Sequence, residues 1–180
     1  IKEFCQLYVG IQDGTMSHNA GWNFAWLGRM LERADQTSRI LDVKYFILLP
    51  DLSMIGMSLD IVQWTALLKS VSAFEMFRKT YSNVTPQNVI EFLLLNKDFP
   101  RSILYCLEHA ERALNKITEN EHTINGERSH RAIGKLKSEL EFSTLDEIIA
   151  KGLHEKVDEY QKRLLQVNEA LRKDFFDCSL

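Results

Sequence analysis

Cysteine is too sparse in this 180-residue chain to build a disulfide framework. Cys5, Cys106 and Cys178 are odd in number, widely spaced and without a CxxC pair, which also argues against a zinc site. They read as reduced thiols of a cytoplasmic protein. No apolar run approaches the roughly 20 residues a membrane span needs, and no signal-peptide pattern opens the chain. A basic surplus is missing too: the formal charge is -3 and the pI about 6.0, which disfavours nucleic acid and anionic membranes as partners. Glycine and proline total only 8 and 3, and no alternating apolar-polar stretches lie between turn signals, so strands are not expected. Phosphate loops, dinucleotide fingerprints, a Gly-x-Ser-x-Gly elbow, HExxH and other two-histidine spacings are all lacking. Neither a cofactor nor a metal is expected, and the catalytic residues, if there are any, remain unknown from pattern alone.

What the chain does contain is helical periodicity. An apolar fraction of 45% and a charged fraction of 26% are those of an ordinary globular protein, and the length suits one domain over residues 1–180. The expectation is an all-α bundle of about seven helices. Ile1 to about Gln12 carries Phe4, Leu7, Tyr8 and Ile11 on one face and starts without Met, so a missing upstream helical region is expected. Asp13-Gly14-Thr15 reads as a turn, with Ser17 or Asn19 as the next cap. The longest helix spans about Gly21 to Leu49, stopped by Pro50, with the core stripe Leu27, Met30, Leu31, Ala34, Ser38, Leu41, Tyr45 and Leu48.

After a connection over Pro50 to Met57, one apolar helix is expected from Ser58 to about Tyr81, central in the bundle, burying Ile61, Trp64, Leu67, Leu68, Val71, Phe74 and Phe77. Thr85-Pro86 caps a short helix to Leu95, and Asp98-Phe99-Pro100 precedes another from Pro100 to about Thr118 with the seam Ile103, Leu107, Ala110, Leu114 and Ile117. Glu119 to Gly126 reads as an exposed loop, and Glu127 to Phe142 as a helix. Thr144 with Glu147 matches a capping box opening a helix to about Phe176, with a break expected near Gly152. Its residues Leu153, Val157, Tyr160, Leu164, Val167 and Leu171 alternate four and three apart, as a coiled-coil-like seam does.

The chemistry-bearing residues concentrate on the long helix. Arg29, Glu32, Asp35, Arg39 and Asp42 are spaced to form a connected ion-pair ladder beside the core stripe. Such a ladder is ordinarily a solvated face; alternatively Glu32 with Arg33 or Arg39 binds a partner, a carboxylate or a phosphate through the planar guanidinium. His18 could act with Asp13, Glu32 or Asp35 as an acid/base group. The scattered His122, His130 and His154 read as solvated. Trp22 and Phe24 flank the start of this helix and could line an interface. Leu31-Glu32-Arg33-Ala34-Asp35 has an echo in Leu107-Glu108-His109-Ala110-Glu111.

Asp13-Gly14-Thr15-Met16-Ser17-His18, Gly21-Trp22 and the run Leu27-Gly28-Arg29-Met30-Leu31-Glu32-Arg33-Ala34-Asp35-Gln36-Thr37-Ser38-Arg39-Ile40-Leu41-Asp42 together resemble the bacterial alpha-E domain, an all-helical family named for a Glu-Arg motif. Thr85-Pro86, Glu91-Phe92-Leu93-Leu94-Leu95, Phe99-Pro100-Arg101-Ser102 and Cys106-Leu107-Glu108 look like its downstream segments. The likeness weakens after about Glu119, and the chain looks like the C-terminal larger part of the family pattern. The resemblance implies no defined biochemical activity. It does imply association with ATP-grasp-type and transglutaminase-like proteins in a peptide-forming or peptide-modifying system. The leading expectation is therefore a non-catalytic accessory domain contacting such a partner through Arg29, Glu32, Arg33, Asp35 and Arg39. The alternatives are an enzyme using Glu32 with His18 or Asp35, and a purely structural or homo-oligomeric helical piece.

Overall fold

The computed structural model describes residues 2–48, 58–120 and 126–177; among them the chain is all-α, with nine helices and no strand. These are α1 (Lys2–Thr15), α2 (Ala20–Leu48), α3 (Ser58–Ser70), α4 (Phe74–Thr80), α5 (Pro86–Leu95), α6 (Ile103–Asn120), α7 (Glu127–Glu141), α8 (Leu145–Lys151) and α9 (Leu153–Phe175). The four long helices close a ring: α2 packs on α6 and α9, and α7 packs on the same two from the other side. The shorter α5 lies against α6, α7 and α8, while α3 bridges α2, α4 and α5. By contrast, α1 packs extensively against no other helix.

The core follows the helical stripes. Leu27, Met30, Leu31, Ala34, Ser38 and Leu41 of α2 are buried, as is the whole α6 seam from Ile103 to Ile117. The six seam residues of α9 are buried as well, so its alternation of four and three serves to pack one helix into a ring. Lys156 lies between them at 6% exposure. Its Nζ donates to Glu139 and Glu159, each at 3.0 Å, and Arg163 meets the same two carboxylates, so the buried ammonium sits in an ion-pair network.

Side chains cap the starts of α2, α5, α6 and α8, whereas α4, α7 and α9 have no side-chain cap bond. The Thr85 hydroxyl accepts from Asn88 N at 3.2 Å, and Thr144 with Glu147 forms the reciprocal capping box. The Asn19 side chain accepts from Trp22 N at 3.4 Å at the head of α2. The start of α6 differs from expectation. The buried Ser102, whose hydroxyl accepts from Tyr105 N at 3.1 Å, begins the helix at Ile103, three residues past Pro100.

Other differences have local causes. The expected turn at Asp13-Gly14 is the last turn of α1, which runs on to Thr15. The helix expected over Ser58 to Tyr81 is two helices. Ser72 takes φ 55°, its N–H donates to Lys69 O at 3.0 Å, and the Ala73 N–H donates to Leu68 O at 2.7 Å. That pair of bonds is a Schellman stop, here with serine where glycine is usual. Nor is α3 central: Ile61 and Val62 are exposed, while Trp64, Leu67, Leu68, Val71 and Phe77 of the expected stripe are buried. Gly152 at φ 92° breaks the last helical stretch into α8 and α9. These breaks raise the helix count from about seven to nine.

Phe4, Leu7, Tyr8 and Ile11 of α1 are exposed, at 73%, 60%, 60% and 52%. The Pro50 to Met57 connection, residues 121–125 with His122, Cys178, and the side chains of Tyr45 and Leu48 lie outside the described residues. Of the expected polar loop, Glu119 lies in α6 and Gly126 is buried. No helix among the described residues is long and apolar enough to cross a membrane.

Candidate functional site

Along α2, Arg29, Arg33 and Thr37 follow one another at four-residue spacing and therefore share a helix face. Thr37 is buried at 1%, and its hydroxyl donates to the Arg101 carbonyl at 2.8 Å. This bond holds the turn before α6 against α2. Ser102, bonded to Asn96 O, and Asn96, whose side-chain oxygen accepts from Asp98 N and Phe99 N, fix the shape of that turn. Arg101 is thereby delivered to the same side of α2 as Arg33.

The result is an open groove of about 710 Å³ between α1 and α2. Arg29, Glu32, Arg33, Gln36 and Arg101 line it on one side, and Phe4, Tyr8 and Gln12 of α1 on the other. The Arg29 Nη2 donates to Gln12 Oε1 at 2.5 Å, and its guanidinium lies 5.3 Å over the Trp26 ring. The Nη1 of Arg29 is buried and has no hydrogen-bond partner among the described residues. Behind Arg29 the rings stack in series: His18 on Trp22 at 4.2 Å, Trp22 on Trp26 at 5.4 Å, with His109 edge-on to Trp26 at 6.4 Å.

Three guanidiniums thus converge on the groove without forming an ion pair among the described residues. Burial, then the charges of Arg101 and Arg29, lower the Arg33 pKa. Glu32 is exposed at the rim and accepts from Gln36 Nε2 at 3.0 Å instead of pairing with an arginine. Just behind, Cys106 is buried, and desolvation pushes its thiol up to about 12 in spite of the opposing pull of Arg33 and Arg101. At neutral pH it is a protonated core thiol and no nucleophile.

A family model matches residues 1–176, that of the Alpha-E domain, described as a predicted alpha-helical domain with a conserved ER motif. The chain belongs to the Alpha-E family. The match takes in the region after Glu119, where the likeness was expected to fade, and gives no support to reading this Alpha-E chain as only the C-terminal part of the family pattern. No curated protein and no solved structure matches it.

The Alpha-E sequence holds three Glu-Arg pairs, and their settings differ. Arg112 and Arg128 are exposed, Arg112 beside Glu108, whereas Arg33 is half-buried in the groove. Of the three, Glu32-Arg33 is the pair that lines the groove. The expected ladder is broken up. Of its links, Asp35 and Arg39 do pair, at 2.7 Å, but on an exposed face away from the groove. Asp42 is bonded instead to His154 of α9 at 2.6 Å, so His154 is a tie between helices and not a solvated side chain. His130 likewise meets the Thr118 hydroxyl at 3.1 Å.

Asp13 and His18 are exposed and outside the groove. His18 Nε2 reaches the Asp13 backbone carbonyl at 3.2 Å, not its carboxylate. At 1.5 Å per residue, Glu32 lies about 18 Å along α2 from its first residue, so His18 and Glu32 do not meet. Phe24 packs edge-on against Phe175 at 5.1 Å and serves the α2–α9 contact. Among the described residues no cluster of three His, Cys, Asp or Glu side chains is arranged to hold a metal. Sequence spacing passed over Arg101 and Gln12. The only pointer to Arg101 was its place beside Pro100 and Ser102 in a segment resembling the family.

Proposed function

We propose that this Alpha-E chain is a non-catalytic recognition domain of a bacterial, cytoplasmic peptide-forming or peptide-modifying system, contacting an ATP-grasp-type or transglutaminase-like protein or the peptide they share. The observation that carries this reading is the convergence of Arg29, Arg33 and Arg101 on an open groove, none of them in an ion pair among the described residues. Unpaired, half-buried cations cost stability, which makes them understandable as a binding surface awaiting an anion. The enzyme reading draws less support: no histidine is among the described residues lining the groove, and its carboxylate, Glu32, is bonded to Gln36.

Affinity capture by a cognate ATP-grasp partner tests the proposal. Glu32→Ala/Arg33→Ala and Arg101→Ala variants that retain native far-UV circular dichroism should lose capture. Capture undiminished by all of these substitutions would remove the groove from the contact.

A second reading, self-association, draws on the exposed Leu7 and Ile11 of α1, which do not line the groove. It requires a sedimentation coefficient that rises with protein concentration and falls back on Leu7→Glu substitution.

A further inference from the structure

The groove has two unlike walls, and together they define a ligand. On α2 and the turn before α6 stand the guanidiniums of Arg29, Arg33 and Arg101; on α1 stand Phe4 and Tyr8, one turn apart and largely exposed. Guanidiniums with free N–H edges match a planar carboxylate in a two-pronged bond. Exposed aromatic faces one helical turn away match an apolar side chain.

Glu32 decides between classes of anion. Its carboxylate lines the same groove and receives one hydrogen bond, from Gln36. A phosphate dianion placed beside it meets a like charge, which weakens binding. A peptide carboxylate carries a single charge and meets a smaller repulsion, which backbone N–H groups of the same peptide offset by donating to the unused oxygen of Glu32.

We propose that the α1–α2 groove binds an acidic peptide segment, its side-chain or terminal carboxylate held by Arg33 and Arg101 and a neighbouring apolar side chain laid against Phe4 and Tyr8. The inference rests on the recognition role above and names the chemistry recognised.

The groove contains its own reporters. Trp26 lies 5.3 Å from the Arg29 guanidinium, and the exposed Cys5 is part of the α1 wall. In a Cys178→Ser background Cys5 and the buried Cys106 are the remaining thiols, so alkylation reads Cys5. The probes are an N-acetylated, C-amidated tetrapeptide alternating leucine and glutamate, its glutamine counterpart, a glycine-glutamate version, and inorganic phosphate.

Titration followed by tryptophan emission should show the leucine-glutamate peptide binding at least about tenfold more tightly than its glutamine and glycine counterparts and than phosphate. Bound peptide should slow Cys5 alkylation. Arg33→Met and Arg101→Met should each weaken binding about tenfold or more, and Arg33→Lys should restore it only in part because the fork is lost. Equal affinity for the glutamine peptide, tighter binding of phosphate, or full-rate alkylation of Cys5 at saturating peptide would each overturn the proposal. The two readings fail separately. Groove-dependent capture of an ATP-grasp partner without peptide binding sinks the ligand assignment alone, whereas capture indifferent to the groove variants sinks the recognition role.

Discussion

Replacing Arg33 by methionine should leave the fold as stable as the wild type, or more so. The methionine keeps an unbranched apolar stem of similar reach, so packing against α1 and the turn before α6 is largely preserved. What it removes is a half-buried cation whose pKa is lowered by burial and by repulsion from Arg101 and Arg29, with no acidic partner to lose among the described residues. Repulsion between half-exposed charges is worth about 0.5 kcal/mol per pair after solvent screening, so relieving two pairs contributes about 1 kcal/mol. For a chain of this size that is about 2–4 °C in melting temperature. Salt supplies the control: screening should stabilise the wild type and do little for Arg33→Met, the reverse of what loss of an ordinary ion pair predicts. Thermal denaturation of both proteins across a sodium chloride series is the assay. A variant that melts well below the wild type at every salt concentration would show that Arg33 is a structural tie, and the argument for a poised binding surface would fail with it.

Three further outcomes follow from the geometry. Gly126, at φ 44° and with a built Cβ only 2.8 Å from Thr118 Cγ2, should tolerate alanine poorly, losing about 1–3 kcal/mol in chemical denaturation. The hydrogen bond that His154 Nδ1 donates to Asp42, with smaller effects of the charges of Asp42, Glu155 and Asp158, raises the His154 pKa above its ordinary 6.5. The α2–α9 tie is therefore at full strength below the unfolded value and is lost as pH rises through the higher folded one; Asp42→Asn should flatten that part of the melting-temperature profile. In the Cys178→Ser background, Cys5 should react with a thiol reagent in the native protein while Cys106, buried with its thiol pushed up to about 12, reacts only on unfolding; two fast thiols would contradict its placement.

The seams of α2, α6 and α9 were legible because a buried stripe on a helix must recur every three or four residues, and every described member of these stripes is buried. Caps were legible for a similar reason: Thr85 and Thr144 act within three residues of themselves. The Ser72 stop was hidden because the left-handed position that ends α3 ordinarily advertises itself with glycine. Spacing along α2 named which charges could reach one another, but not which would. Arg29 was claimed by Gln12 from α1, and Asp42 by His154, 112 residues away in sequence. Arg101 could be recognised only once Thr37, 64 residues earlier, was seen to bond its carbonyl. The groove is a tertiary object, and periodicity describes one helix at a time.

Because α1 packs extensively on nothing, its docking depends on little more than the Gln12–Arg29 bond and the contacts across the groove. In energetic terms it should behave as a separate foldon, opening at a cost below that of unfolding the ring. Occupation of the groove and closure of α1 are then one equilibrium, and measured affinity is intrinsic affinity multiplied by the fraction of chains with α1 seated. Backbone amides of α1 should exchange with solvent ahead of those of α6. A substitution on the far side of α1 that lowers its helicity should weaken binding without touching a single residue that meets the ligand.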